Sequence, residues 1–168
     1  GNQSREKTRD LFLKTDVFII TLGLSEVWYN KDTGGVFWRA IPLRSFDKSK
    51  HGFRVLTHEE TKDRIQEIVD VIRKYVGNVP IIFTVSPVRL AATFRDMSPV
   101  VANTASKAIL RSALNEVMLS NQKNVWYWPS YEMIRIHADA YEERNTHPDR
   151  RIIKKVMKVF LMGWTTGK

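Results

Sequence analysis

The sequence predicts an α/β fold, a three-layer sandwich built on a parallel sheet, and three observations predict it. Residues 16–22 (DVFIITL), 79–85 (VPIIFTV) and 125–128 (VWYW) are short runs of β-branched, aliphatic and aromatic residues. Each is nearly continuous rather than alternating, as expected of strands covered on both faces. Amphipathic helical patterns lie between them, and a strand–helix–strand series implies parallel strands joined by right-handed crossovers.

The elements follow in order. After the first strand, residues 29–56 have no helical period and carry Gly34, Gly35 and Pro42 among the aromatic residues Phe37, Trp38, Phe46 and Phe53. So long a loop in a compact domain is usually functional or a lid. Thr57 and Glu60 form a capping-box signature. Ile65, Ile68, Val69, Ile72 and Val76 then recur at helical spacing, and Gly77-Asn78 closes the helix. The segment from about 104 to 121 repeats the pattern with Ile109, Leu110, Ala113, Leu114, Val117 and Met118. A last helix, about 148–162, carries Ile152, Ile153, Val156, Val159 and Phe160 on one side. Ligands gather at the carboxyl ends of strands in such sheets, which directs attention to residues 23–30, 86–95 and 129–133 and to the loop before the last helix.

Composition bounds the chemistry. With 168 residues, 43% of them hydrophobic and 11% aromatic, the chain has the material for one domain over residues 1–168. The absence of cysteine excludes disulfides, thiolate zinc sites and a thiol nucleophile. His51, His58, His137 and His147 are scattered, and no two of them share a helical i,i+4 spacing with a carboxylate in the metalloprotease pattern, so neither a metal nor another cofactor is expected. No apolar run reaches the 18 or so residues of a membrane span. A formal charge of +9 favours a polyanionic partner. Its densest cluster, Arg150, Arg151, Lys154, Lys155 and Lys158, also reads as the solvated face of the last helix. No nucleic-acid-binding motif is present, so nucleic acid ranks behind an acidic glycan as a partner.

Four segments occur in a telling order: TLGLSEVW (21–28), TVSPVRLAAT (84–93), SKAILR (106–111) and WPSYEM (128–133), followed by His147-Pro148 before an amphipathic helix. Together they resemble the GSCFA family, distant relatives of the SGNH (GDSL-like) esterases, over about residues 16–160. The resemblance implies an SGNH-hydrolase-like (flavodoxin-like) fold. It also implies a nucleophilic serine in a Gly-Ser-Cys-Phe-Ala stretch, which a chain without cysteine cannot contain. The expectation is therefore a fold lacking its first strand, the C-terminal part of a larger domain or protein and inactive by itself. In full it would be an esterase or O-acyl transfer domain acting on an acylated carbohydrate, or alternatively a degenerate module that binds an acidic glycan or other polyanion.

The same resemblance assigns roles to residues. His147, in the polar loop before the last helix, stands where the general base is delivered. An orienting aspartate is usual three residues earlier; Arg144 occupies that position here, with Asp139, Glu143 and Asn145 as nearby substitutes. Gly23, Ser25 and Glu26 fall where an oxyanion element is expected, with Gly23 offering its N–H, Ser25 its hydroxyl and Glu26 holding the loop by accepting backbone N–H bonds; a plain strand-ending turn explains them equally. Arg89, Ser106, Lys107 and Arg111 form a polar set that either recognises substrate or fixes the neighbouring loop by ion pairs to Glu26 or Glu132. Tyr131 and Glu132 then position either the histidine loop or the base itself. Ser86 ends a strand without a Gly-x-Ser-x-Gly elbow, and Pro87 after it has no N–H to offer, so it reads as structural. Trp28, Trp38, Trp126 and Trp128 would suit a sugar-stacking wall, although burial in strands accounts for the last two.

Overall fold

The computed structural model describes residues 2–120, 122–137, 141 and 146–165. The elements are α1 (Asn2–Leu13), β1 (Phe18–Leu22), β2 (Glu26–Asn30), a 3-10 turn at Leu43–Ser45, β3 (His51–Val55), α2 (His58–Tyr75), β4 (Ile81–Val85), α3 (Pro99–Leu119), β5 (Val125–Tyr127), α4 (Ser130–Arg135) and α5 (Arg150–Thr165). β1, β4 and β5 form a parallel sheet in the order β1-β4-β5, with Ile19 opposite Ile82, Thr21 opposite Thr84 and Ile82 opposite Trp126. The predicted α/β sandwich is thus present, with helices on both faces of a parallel sheet.

β4 is buried at all five positions. Ile81, Phe83 and Val85 point into a core closed by Ile65, Val69 and Ile72 of α2 and by Leu110, Ala113, Leu114 and Val117 of α3. Each large side chain so buried contributes about 1.5–3 kcal/mol. The opposite face is covered by α5, which buries Ile152 and Val156 beside Ile134 of α4 and sets Phe160 edge-on to Trp128 at 5.1 Å. β1 departs from the expectation of cover on both faces. It alternates, with Ile19 57% exposed, because it is an edge strand whose outer face α5 only partly reaches. Trp126 on the other edge strand is likewise half exposed rather than buried.

The capping box is formed as predicted. Thr57 Oγ1 accepts from the Glu60 N–H and Glu60 Oε2 accepts from the Thr57 N–H, at 3.1 and 2.9 Å. The helix ends where Gly77 adopts φ +102°, a conformation that needs no Cβ, and its N–H donates to the Ile72 carbonyl. α3 starts earlier than the apolar pattern indicates, because Ser98 caps it and Pro99 supplies a ready-made first-turn φ; the expected end at Asn121 lies outside the described residues. α1 and α4 carry too little amphipathic signal to be read locally; α1 is anchored by Phe12 against Phe18 at 5.1 Å.

Residues 29–56 are not one long loop. β2 and β3 pair as an antiparallel ribbon, Glu26 opposite Val55, Trp28 opposite Phe53 and Asn30 opposite His51. Gly52 is required there, since a Cβ would collide with the ring of Tyr29 lying across it. The partner strands are joined by a 20-residue excursion, so no short-range turn signal announces them.

Two stability predictions follow from the cap and the central strand. Thr57→Ala should lower unfolding free energy by about 1 kcal/mol, and Phe83→Ala by about 3–5 kcal/mol. Urea denaturation with an unchanged m-value checks both; a smaller loss for Phe83→Ala than for Thr57→Ala would contradict this account of the core.

Candidate active site and ligand clefts

The turn from Gly23 to Glu26 is tied down from beneath by α3. The Ser25 N–H donates to Ser106 Oγ at 2.6 Å, the two hydroxyls lie 2.9 Å apart, and both side chains are fully buried. Lys107, 2% exposed, donates from Nζ to the Gly23 carbonyl at 2.7 Å. Burial pushes its ammonium pKa down from 10.5 to about 8. Ser25 and Ser106 thus satisfy each other inside the protein, whereas Gly23 remains exposed, with open space where a Cβ would stand. Glu26 is also buried. The sequence reading has it accept backbone N–H bonds; among the described residues its Oε1 accepts instead from the Thr93 hydroxyl, at 2.7 Å.

The rest of the polar set fixes the segments around the strand ends. Arg111 Nε donates to Glu132 Oε1 at 3.0 Å, and Tyr127 donates to Glu132 Oε2 at 2.6 Å, so α3, β5 and α4 are clamped together. Burial and that hydrogen bond raise the Tyr127 pKa. Of the two acids offered to this set by the sequence, Glu132 is the one engaged. Arg89 lies over the Tyr141 ring at 3.4 Å, and its backbone N–H donates to the Thr146 carbonyl, one residue before His147. Tyr131 faces the same cleft of about 460 Å³ as Arg89 and accepts from Arg135 at 3.2 Å. At the base of β4, the Ser86 hydroxyl accepts from the Val88 N–H, closing a turn.

His147 is exposed at the start of α5 and lines a cavity of about 270 Å³ with Thr21, Thr84, Pro87 and Ser130 at the strand ends and Met157 of α5. Thr84 and Ser130 hydrogen-bond through their hydroxyls in its wall. The Thr146 hydroxyl lies 3.2 Å from His147 Nδ1. Asp139, Glu143, Arg144 and Asn145, the residues weighed as partners or departures for this histidine, lie outside the described residues.

A second, larger cleft of about 860 Å³ lies along β2, between Gly23, Glu26 and Trp28 on one side and Phe37, Trp38, Arg39, Leu90 and Phe94 on the others. Trp28 is buried against Phe53 and Phe94, whereas Trp38 is 87% exposed, with the Arg39 guanidinium 4.8 Å from its ring centre. His147 and the Gly23–Glu26 turn therefore line different cavities. β1 connects them, since Thr21 lies in the wall of the first and Gly23, two residues on, in the wall of the second. Among the described residues no group of three His, Asp or Glu side chains converges as a metal site would require.

Three of the four ordered motifs thus sit at the carboxyl ends of the parallel sheet and the fourth, 106–111, on the α3 helix beneath them, and the GSCFA family model matches residues 1–160. The chain belongs to the GSCFA family. No curated protein matches it. This GSCFA protein has an arginine–glutamate clamp beside its strand ends and a histidine before its last helix, and none of its 168 residues forms the Gly-Ser-Cys-Phe-Ala stretch. Sequence reasoning missed Thr93, whose hydroxyl reaches Glu26 across 67 residues, and the Thr84–Ser130 pair, 46 residues apart; nothing local distinguishes them from ordinary loop or strand hydroxyls.

Lys107 gives a test of how dry the turn's anchor is. Because its folded pKa lies below the ordinary value, the unfolded chain binds more protons between pH 8 and 10.5, and stability rises with pH across that window. Below pH 8 the charged form carries its full burial cost, about 3 kcal/mol at roughly 1.36 kcal/mol per pH unit. The unfolding free energy of the wild type relative to Lys107→Met should therefore increase between pH 8 and 10. Parallel pH profiles for the two chains would refute the dry setting.

Proposed function

We propose that this chain carries the histidine side of an SGNH-like acyl-ester hydrolase or O-acyl transferase that acts on an acylated carbohydrate. The observation that supports the reading is the position of His147: at the mouth of a cavity at the strand ends, on a loop held by the Arg89–Thr146 hydrogen bond, in a member of the GSCFA family.

The proposed chemistry is acyl transfer. With the ring proton on Nδ1, that N–H donates to the Thr146 hydroxyl oxygen and Nε2 is the basic nitrogen. A serine hydroxyl attacks the ester carbonyl while Nε2 takes its proton, and a C–O bond forms as the carbonyl pair moves to oxygen. The serine's own backbone N–H is the candidate donor to that oxyanion, since Gly23 lines the neighbouring cleft and not the His147 cavity. Collapse expels the sugar oxygen, which receives the proton from Nε2, and leaves an acyl-enzyme; water, or an acceptor hydroxyl in a transferase, repeats the cycle in reverse. Ser25 enters as the residue that holds the turn through Ser106, and Glu26 as part of the neighbouring cleft. The serine is the one in the stretch that names the family, so the test uses a chain that includes that stretch. Such a chain should hydrolyse an aryl acetate, and His147→Ala should lower kcat/KM by about 10² or more. Undiminished hydrolysis by His147→Ala would remove the histidine from the mechanism.

A second reading, a catalytically silent module that holds an acidic glycan or another polyanion, is favoured by one feature. Arg150, Arg151, Lys154, Lys155 and Lys158 are all exposed on α5. The 168-residue chain should then be retained on a sulfated-glycan column in a salt-sensitive way, and reversing Lys154, Lys155 and Lys158 to Glu should lower the eluting salt concentration. Retention indifferent to those three charges would dismiss it.

A further inference from the structure

We propose that the cleft of about 460 Å³ between the segment after β4, the start of α3 and α4 binds a small organic anion, which presents a phosphate or carboxylate head to Arg89 and Arg135. The proposal goes beyond the acyl-transfer reading and does not need it, since neither His147 nor Gly23 lines this cleft.

Two guanidinium groups are held at the cleft by tyrosines. Arg89 lies over the Tyr141 ring at 3.4 Å. Tyr141 is itself fixed: its hydroxyl donates to the Pro87 carbonyl at 2.6 Å, and its ring packs against the cluster of Ile134, Ile152 and Val156. Arg135 stands 5.4 Å from the centre of the Tyr131 ring and donates to the Tyr131 hydroxyl at 3.2 Å, while that ring packs against the main core. All four residues line the cleft, and both arginines are exposed, so a ligand there reaches them. A guanidinium stacked on a ring keeps N–H donors at its edge. Among the described residues no carboxylate lines the cleft, and none stands within ion-pair distance of either arginine. Two like charges held in one concave site repel each other until an opposite charge enters.

The other walls narrow the ligand. Asn103 accepts the Leu90 N–H on its Oδ1 at 3.2 Å, which leaves its NH2 to donate. The Tyr131 hydroxyl accepts from Arg135, which leaves its own proton to donate. A cation would meet two guanidinium groups, and a neutral molecule would leave both charges unmet. Phosphate and carboxylate each match the guanidinium fork through paired N–H···O bonds. Leu90, Pro99 and Val100 line the same cleft, so the body behind the anionic head is apolar or a ring. The volume falls within the roughly 300–1,000 Å³ of small-molecule sites, and no cation of α5 lines it, which separates it from the basic face of that helix.

The test reads binding without turnover. The 168-residue chain, 15N-labelled, is titrated at fixed ionic strength with phenyl phosphate and with benzoate. Benzyl alcohol serves as the neutral analogue and benzylammonium as the cation, and the Nε–H resonances of Arg89 and Arg135 are followed. At least one anion should move both resonances in a saturable way, and the anion that does so names the head; the neutral and cationic analogues should move neither. Arg89→Gln and Arg135→Gln should each weaken binding by about fivefold or more. Both side chains are exposed and Arg89 holds Thr146 through its backbone, so each variant keeps that contact; the wild-type shifts decide if either fails to fold. A chain carrying Lys154→Glu, Lys155→Glu and Lys158→Glu should bind as the wild type does. Four outcomes overturn the proposal: no saturable shift with either anion, an equal response to benzyl alcohol or benzylammonium, unchanged affinity in both arginine variants, or binding lost in the α5 variant. Failure of the aryl acetate assay would sink the proposed function and leave this site standing, and absence of anion binding would do the reverse.

Discussion

β4 has no solvent-facing side chain, and that sets what the remaining elements must do. A strand whose alternate residues are both apolar and both buried has to be covered twice. α2 and α3 take the face of Ile81, Phe83 and Val85, and α5 takes the face of Ile82 and Thr84. Once both faces are closed, the polypeptide leaving β4 emerges at one end of the sheet. The segment that starts at Ser86 is there brought beside the ends of β1 and β5. The clefts gather at that end because it is where backbone leaves the sheet without a helix on top of it.

Polar ties then fix what packing alone would leave loose. Apolar burial is non-directional and does not specify where a turn or a loop sits, whereas a buried hydrogen bond does, because leaving it unmade is costly. Lys107 and Ser106 on consecutive positions of α3 hold the Gly23 carbonyl and the Ser25 hydroxyl and N–H. Arg111, one helical turn further on, clamps Glu132, and the Arg89 backbone holds the residue before His147. α3 thus serves as the common support of the β1 and β5 ends. Among the described residues Glu26 Oε2, Trp28 Nε1, Arg95 Nη1 and Trp128 Nε1 depart from this background, each buried with no hydrogen-bond partner.

β1 shows the opposite situation to β4. Its outer face leaves Ile19 more than half exposed, and α5 carries Ile153 and Met157 at the edge of the same cavity. The contrast comes from position in the sheet, not from composition: β1 and β4 are equally apolar in sequence, but one is central and the other is at an edge.

By itself the sequence determined the α/β class, the three parallel strands, the capped second helix with its glycine stop, and the membership that four ordered motifs announce. These are local or strictly ordered signals: hydrophobic period, cap chemistry and motif succession are read along the chain. Only the tertiary structure decided that β2 and β3 pair across a 20-residue excursion and that Ser25 is spent on Ser106. The same holds for the choice of Glu132 as the partner of Arg111, and for His147 and Glu26 facing separate cavities joined through β1. Each of those outcomes is a contact between residues 21 to 81 positions apart or a matter of which face of a strand is covered, and neither is written in the spacing of neighbouring residues.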